Sequence, residues 1–330
     1  MGVNPAMLQV EDVHTFYGKS HIIQGVSFNV CKKECLALLG RNGAGKTTSI
    51  RIVLSILFPD RGDVQVLGHA SALDAKDRIG YLPEERGVYR KMKVGDFLTY
   101  MAHLKGLGGS GLPARIDRWL ERVGLGGTAQ KRCDELSKGM QQKVQFVAAV
   151  IHEPALVILD EPFSGLDPVS SRQLRELVLE EHARGATVIF STHVMEHAEQ
   201  LCDHIVMIHD GRKVLDSSVA QIRNSQAVRG LWFEPLDPHA SVDDLRQVPG
   251  VTRVEKNGGA WEVGLAAGVE PAAALRAVAA AVPRARVELH RPTLEDVFVN
   301  IVSGSSDGAS QDAAKLRDQL RAGSAGEVRS

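Results

Sequence analysis

Eight consecutive residues, Gly40-Arg41-Asn42-Gly43-Ala44-Gly45-Lys46-Thr47, carry the first chemistry legible in this sequence. Gly40, Gly43 and Gly45 free the backbone to bend and leave no side chain between its N–H groups and an anion. An apolar strand should precede this loop and a helix should begin at Lys46, turning its positive dipole end toward the same anion. The spacing is that of a P-loop, in which backbone amides cradle phosphates. Lys46 then bridges the β- and γ-phosphates and the Thr47 hydroxyl ligates Mg²⁺, with Thr48 completing the nucleotide-holding stretch. A glycine-rich turn that binds nothing is the bland alternative.

A second pattern lies at Leu156-Val157-Ile158-Leu159-Asp160-Glu161, an apolar strand ending in two acids. Such an ending is common in parallel sheets and says little alone. Beside a P-loop it gains meaning, because Mg²⁺ needs a carboxylate opposite the Thr47 hydroxyl. Asp160 is expected there, acting through water, and Glu161 is placed to polarise an attacking water as general base.

These residues need a scaffold, and the pattern around them supplies one. Residues 8–39 read as short strands, with an alternating strand pair in His21–Val30 and a buried strand at Cys35–Leu39. A helix is expected from Lys46 to about Leu57, stopped by Pro59 and Gly62. Strands follow at Asp63–Gly68 and Arg78–Leu82, then a helical stretch from Val94 to Ile151 broken by a glycine-rich loop at Gly106–Gly111. Leu156–Leu159, Thr187–Ser191 and His204–His209 read as strands, with helices at Ser170–Ala183 and Val194–Leu201. Alternating strands and helices imply a mainly parallel sheet, hence an α/β fold. Beyond Asn224 the order strand, helix, strand, strand, helix, strand, with a hairpin at Asn257-Gly258-Gly259, predicts an α+β ferredoxin-like domain. The expected organisation is a nucleotide-binding domain over 7–224 with a helical subdomain at about 92–150. An accessory domain over 227–303 and a flexible tail over 304–330 complete it.

Composition narrows the partners. The 330 residues carry 39 basic and 40 acidic side chains, a net charge of −1, which gives no general attraction to nucleic acid or anionic lipid. No apolar run approaches the roughly 20 residues of a spanning helix, and Met1–Leu8 lacks a secretory pattern. Cys31, Cys35, Cys133 and Cys202 have no partners at zinc-site spacing and read as free thiols.

The remaining motifs resemble those of ATP-binding-cassette (ABC) ATPases. Leu136-Ser137-Lys138-Gly139-Met140-Gln141-Gln142 resembles the family's signature loop, Ser164-Gly165-Leu166-Asp167 its D-loop, and Thr192-His193 its switch histidine. The resemblance implies that ATP is closed between two copies. Ser137, Gly139 and Asp167 would then contact the nucleotide of the opposite subunit, and His193 would hold the γ-phosphate and attacking water. Tyr17 stands where the family stacks an aromatic on adenine, although Phe16 is adjacent and either could be a packing residue. Two departures stand out: Lys138 and Met140 in the signature, and Glu84 where the family has a Q-loop glutamine. Glu84 can still ligate Mg²⁺; the alternative is an exposed loop acid.

The Glu84 loop, the signature and a C-terminal stretch ending in Arg291-Pro292-Thr293-Leu294-Glu295-Asp296-Val297-Phe298 resemble the ATPase subunits of ABC-2-type exporters, the sodium-efflux and drug-resistance kind. Thr293 and Asp296 also fit a helix capping box. The implied partners are a permease on a separate chain and a second copy or related ATPase. ATP and Mg²⁺ are the implied ligands, and the implied place is the cytoplasmic face of the membrane, through the permease. A ribosome- or nucleic-acid-acting ATPase and a regulatory ATP-binding module are the alternatives. The first wants two cassettes or a long coiled coil, the second a loss of Glu161 or His193, and the sequence has neither.

Overall fold

The computed structural model of the chain describes residues 6–85, 87–225, 230–237, 242–257, 259–266, 268–282, 285–290, 294–295 and 297–298. It divides into two compact units, one through Val219 and the other Ala220–Asn300.

In the first unit β1 (Ala6–Tyr17) and β2 (Ser20–Cys31) pair antiparallel through a two-residue turn, Tyr17 opposite Ser20. Two twelve-residue strands therefore replace the short ones expected, and His21–Val30 is part of a single strand. β3 (Cys35–Leu39) is wholly buried and leads into α1 (Lys46–Val53). The helix stops short of Leu57 because Ser55 turns left-handed (φ 54°), and the Leu57 amide folds back onto the Arg51 carbonyl at 3.1 Å. The stop is thus a backbone reversal within the chain's own last turn, upstream of Pro59.

β4 (Arg61–Val66) returns to pair with β1, closing a three-stranded antiparallel sheet β2-β1-β4 over an apolar core of Leu8, Val10, Ile23, Phe28 and Val66. β5 (Ile79–Leu82), α2 (Val94–Leu104), α3 (Leu112–Arg122) and α4 (Lys138–Val150) follow. Besides the glycine-rich loop, a second break separates α3 from α4, carrying a 3₁₀ turn at Cys133–Glu135. β6 (Leu156–Asp160), α5 (Pro168–Arg184), β7 (Thr187–Thr192), α6 (Met195–Leu201) and β8 (His204–His209) alternate as expected. The sequence reading missed β9 (Arg212–Ser218), which turns back at Asp210-Gly211 to pair antiparallel with β8. α7 (Val219–Ser225) starts at the unit boundary and belongs, from Ala220 on, to the second unit.

The large sheet runs β5-β6-β7-β3-β8-β9, parallel except for β9. Covered on both faces, β3, β6 and β7 bury every residue, which is why residues 35–39, 156–159 and 188–190 are apolar runs. Register then does the positioning. Leu39 lies opposite Thr192 and Asp160 opposite Ser191, so the segments after β3, β6 and β7 leave the sheet along one carboxyl-terminal edge. Ligands of open α/β sheets bind at that edge.

The second unit contains β10 (Gly230–Pro235), a 3₁₀ turn at Asp243–Gln247, β11 (Val251–Asn257), β12 (Ala260–Leu265), α8 (Pro271–Ala281) and β13 (Ala285–His290). Its strands run β11-β12-β10-β13 with every neighbouring pair antiparallel, the order of a ferredoxin-like sheet whose first helix has shrunk to the 3₁₀ turn. Leu231, Phe233, Leu245, Val263 and Val278 form its core. Asn257 pairs with Ala260, as the hairpin signal required. Arg291, Pro292, Thr293, Asp296 and the tail over 304–330 lie outside the described residues.

Candidate functional site

The loop between β3 and α1 forms one wall of a hollow of about 310 Å³, lined by Tyr17, Ile22, Asn42, Gly43, Gly45, Lys46, Thr47, Thr48, Glu84 and Glu161. Gly45 caps α1 in the left-handed region (φ 110°), and a Cβ there would stand 2.6 Å from Ile23 Cδ1. The backbone angle demands glycine, and any Cβ would also displace the end of the Ile23 side chain. Gly40 and Arg41 present carbonyl oxygens that accept from Lys46 Nζ at 2.8 and 3.3 Å, and the Arg41 carbonyl also accepts from Ala44 N. These three shape the loop without lining the hollow.

Lys46 is buried and its ammonium lies 3.0 Å from Glu161 Oε1. The other carboxylate oxygen of Glu161 accepts from His193 Nδ1 at 3.0 Å. Burial pushes the Glu161 carboxyl up, but the bonds from His193 and the Lys46 charge outweigh it and hold the group below its ordinary range. Glu161 is therefore an anion poised between the Lys46 charge, paired with Oε1, and the His193 ring, bonded to Oε2. It also adopts a left-handed backbone (φ 47°), a costly conformation for a non-glycine residue.

Asp160 faces the Thr47 hydroxyl at 3.2 Å, as the sequence predicted, and Glu84 Oε2 lies 3.5 Å from the same hydroxyl. Burial raises the Asp160 carboxyl, bonds from Ser191 and Thr47 oppose this, and the charges of Glu84 and Glu161 add to the rise. Asp160 Oδ2 is buried with no hydrogen-bond partner among the described residues. A hard cation at this point would satisfy that oxygen and relieve the crowding of carboxylates. Among the described residues no group of three or more His, Cys, Asp or Glu side chains could hold an ion by itself. Mg²⁺ here needs phosphate and water to fill its shell, and the hydroxyl and carboxylates present fit that demand.

Tyr17 lines the hollow and is half exposed, whereas the ring of Phe16 stacks on His21 at 4.1 Å. Of the two neighbours, Tyr17 is the one that lines the hollow, and it makes no ring contact among the described residues. Ser137 caps α4, accepting from Met140 N at 3.3 Å, and Asp167 caps α5, accepting from Val169 N and Ser170 N. Gly139 sits against Leu166 and Ser170, so the two capped loops pack together. None of the three lines the hollow of its own chain.

Sequence reasoning missed Ser191, whose hydroxyl donates to Asp160 Oδ1 at 2.6 Å and accepts from Glu161 N at 2.9 Å. A serine in a wholly buried strand was the available signal. It also missed the approach of Cys35 and Cys202, whose Sγ atoms lie 3.7 Å apart; the four cysteines are free thiols.

Residues 23–164 match the family described as ABC transporter, and residues 218–302 match the family described as ATP-binding protein DrrA1-3-like, C-terminal domain. An uncharacterized ABC transporter ATP-binding protein of Alkalihalophilus pseudofirmus is 39% identical over 269 residues, covering 80% of this chain and 98% of that one. The Nod factor export ATP-binding protein I of Paraburkholderia xenovorans is 33% identical, covering 77% and 84%. The ABC transporter ATP-binding protein NatA of Bacillus subtilis is 36% identical, covering 64% and 87%. Among solved structures, an ATP-binding subunit of an ABC transporter superposes with a TM-score of 0.61 at 33% identity, over 66% of this chain and 92% of that one.

Proposed function

The chain belongs to the ABC transporter ATP-binding proteins, and from that premise we propose that it hydrolyses Mg-ATP between two paired copies to drive a separate ABC-2-type permease, in the direction of export. The catalytic part is carried by one observation, the convergence of Lys46 and His193 on the Glu161 carboxylate beside the glycine cradle. The export part is supported by the match of residues 218–302 to the DrrA1-3-like domain and by relatives named for Nod factor export and linearmycin resistance.

In this reading amides of Asn42–Thr48 hold the phosphates, Tyr17 stacks on adenine, and the Lys46 ammonium exchanges Glu161 for β- and γ-phosphate oxygens. Glu161 Oε1, released, accepts a proton from water as the water oxygen bonds the γ-phosphorus. The bond from that phosphorus to the bridging oxygen breaks, and ADP departs with the oxygen. His193 fixes the far side of the Glu161 carboxylate so that its near oxygen faces the water. Thr47, Asp160 and Glu84 would hold Mg²⁺ together with phosphate and water, and the ion would supply charge neutralisation for the transferring group. Ser137, Gly139 and Asp167 contact the nucleotide of the second copy; that they stand outside their own hollow is what such a role requires.

No helix among the described residues is long and apolar enough to cross a membrane. In the proposed reading the work of ATP reaches the bilayer through another chain, with this one at the cytoplasmic face of the membrane. The test is to compare phosphate release by the wild type and Lys46→Ala, and to retrieve the tagged chain from solubilised membranes. We expect loss of phosphate release in Lys46→Ala, through weakened nucleotide binding, and a multi-span partner travelling with the chain. Retrieval without such a partner contradicts the transport reading.

A further inference from the structure

We propose that Ser191 is a positioning residue for hydrolysis, its hydroxyl holding the two acids at the end of β6 in working geometry; the inference rests on the roles given above to Asp160 and Glu161. Ser191 is wholly buried in β7 and sits opposite Asp160 in the last pair of the β6–β7 register. Its hydroxyl owns one proton, and that proton goes to Asp160 Oδ1 at 2.6 Å. A lone pair of the same oxygen accepts the Glu161 amide at 2.9 Å. Where the backbone ladder ends, a side chain thus takes over the pairing of the next residue.

Two consequences follow from these contacts. Asp160 Oδ1 is occupied twice, by Ser191 and by Thr47, while Oδ2 has no partner among the described residues. The hydroxyl therefore decides which carboxylate oxygen is available to an incoming cation. Glu161 meanwhile adopts its left-handed backbone with its amide tied to Ser191, so the bond opposes relaxation of that strained peptide to an ordinary conformation. His193, which bonds Glu161, follows two residues later, just past the end of β7 at Thr192. One hydroxyl thereby joins the strand that leads to His193 to the acid pair.

Ser191→Val and Ser191→Thr separate this role from packing, because the two side chains have nearly equal volume and differ in the hydroxyl. Ser191→Ala, which adds no volume, is measured alongside in case the larger pair folds poorly. In the full-length chain with Mg-ATP, Ser191→Val and Ser191→Ala should lower kcat by about 10- to 100-fold, the scale of a small misplacement of reacting groups. KM for ATP should stay within about threefold, since the glycine cradle is untouched, and the Mg²⁺ concentration for half-maximal rate should rise. Ser191→Thr should keep most of the rate and the wild-type Mg²⁺ dependence. Equal kcat and equal Mg²⁺ dependence in the Val and Thr variants, whether both high or both low, overturns the proposal, as does wild-type turnover in Ser191→Ala. Glu161→Gln run in parallel distinguishes the failures. Turnover in that variant would sink the assignment of the acids themselves, whereas its loss beside a fully active Ser191→Val would sink Ser191 alone.

Discussion

Replacing Glu84 by glutamine restores the family's usual residue and tests how the hollow balances charge. Glu84, Asp160 and Glu161 gather around Thr47 and Lys46, and Lys46 alone among the described lining residues is cationic. Glu84 and Asp160 reach the same hydroxyl, at 3.5 and 3.2 Å, so their oxygens stand within about 7 Å of each other. At that separation the repulsion is about 0.6 kcal/mol in bulk water and about 1.2 kcal/mol at half its dielectric constant. Glu84 is exposed, which favours the lower figure. Glu84→Gln should therefore raise stability in EDTA by about 0.6–1.2 kcal/mol, or about 1–4 °C in Tm for a unit of this size. With Mg²⁺ and ATP the sign reverses. A charged ligand is lost where a dication binds, so the Mg²⁺ needed for half-maximal hydrolysis should rise by about 2- to 10-fold. Thermal unfolding in EDTA and a Mg²⁺ titration of phosphate release read the two effects separately. A lower Tm in EDTA, or an unchanged Mg²⁺ requirement, would refute the placing of Glu84 beside the metal.

Gly80→Ala should destabilise the first unit by about 3 kcal/mol or more, because the new Cβ would lie 2.1 Å from the Ala149 carbonyl oxygen and neither partner is a flexible side chain; chemical denaturation measures it. Burial and the neighbouring Lys105 charge pull His152 from its ordinary 6.5 down to about 4, against the bond to the Ile79 carbonyl and the charge of Asp77. The unfolded chain thus binds the extra proton between those values, and stability falls as pH drops from 6.5 toward 4. Discounted for partial exposure, His152→Gln should flatten that loss by about 1–2 kcal/mol, read from urea midpoints across the window. Ser137→Ala should cost about 1 kcal/mol as a lost helix cap yet reduce hydrolysis far more, since its proposed contact is with a neighbour's nucleotide; parallel Tm and phosphate-release assays show whether the two effects separate.

Local chemistry was the part most legible in the sequence. The glycine cradle, the acid pair and the apolar strands each declare themselves through residue type and short spacing, and the structure brings Lys46, Thr47, Asp160 and Glu161 together. What escaped depended on register or on a single backbone turn. Ser191 matters only because β6 and β7 align it with Asp160, a pairing between strands that lie 31 residues apart at that bond. The end of α1 was misplaced because Ser55, a residue with no strong turn signature, takes the left-handed conformation ahead of Pro59. β9 hid because its mixed burial, half exposed and half packed, lacks the clean apolar pattern of the strands beside it. Cys35 and Cys202 looked scattered along the chain and meet only through the fold.

The two-sided grip on ATP is tested most directly by the solution mass of Glu161→Gln. Measured by light scattering with saturating Mg-ATP, it should double relative to the same protein without nucleotide, because ATP that cannot be hydrolysed holds the two copies closed. A protein saturated with ATP that keeps the mass of a single chain would contradict the account.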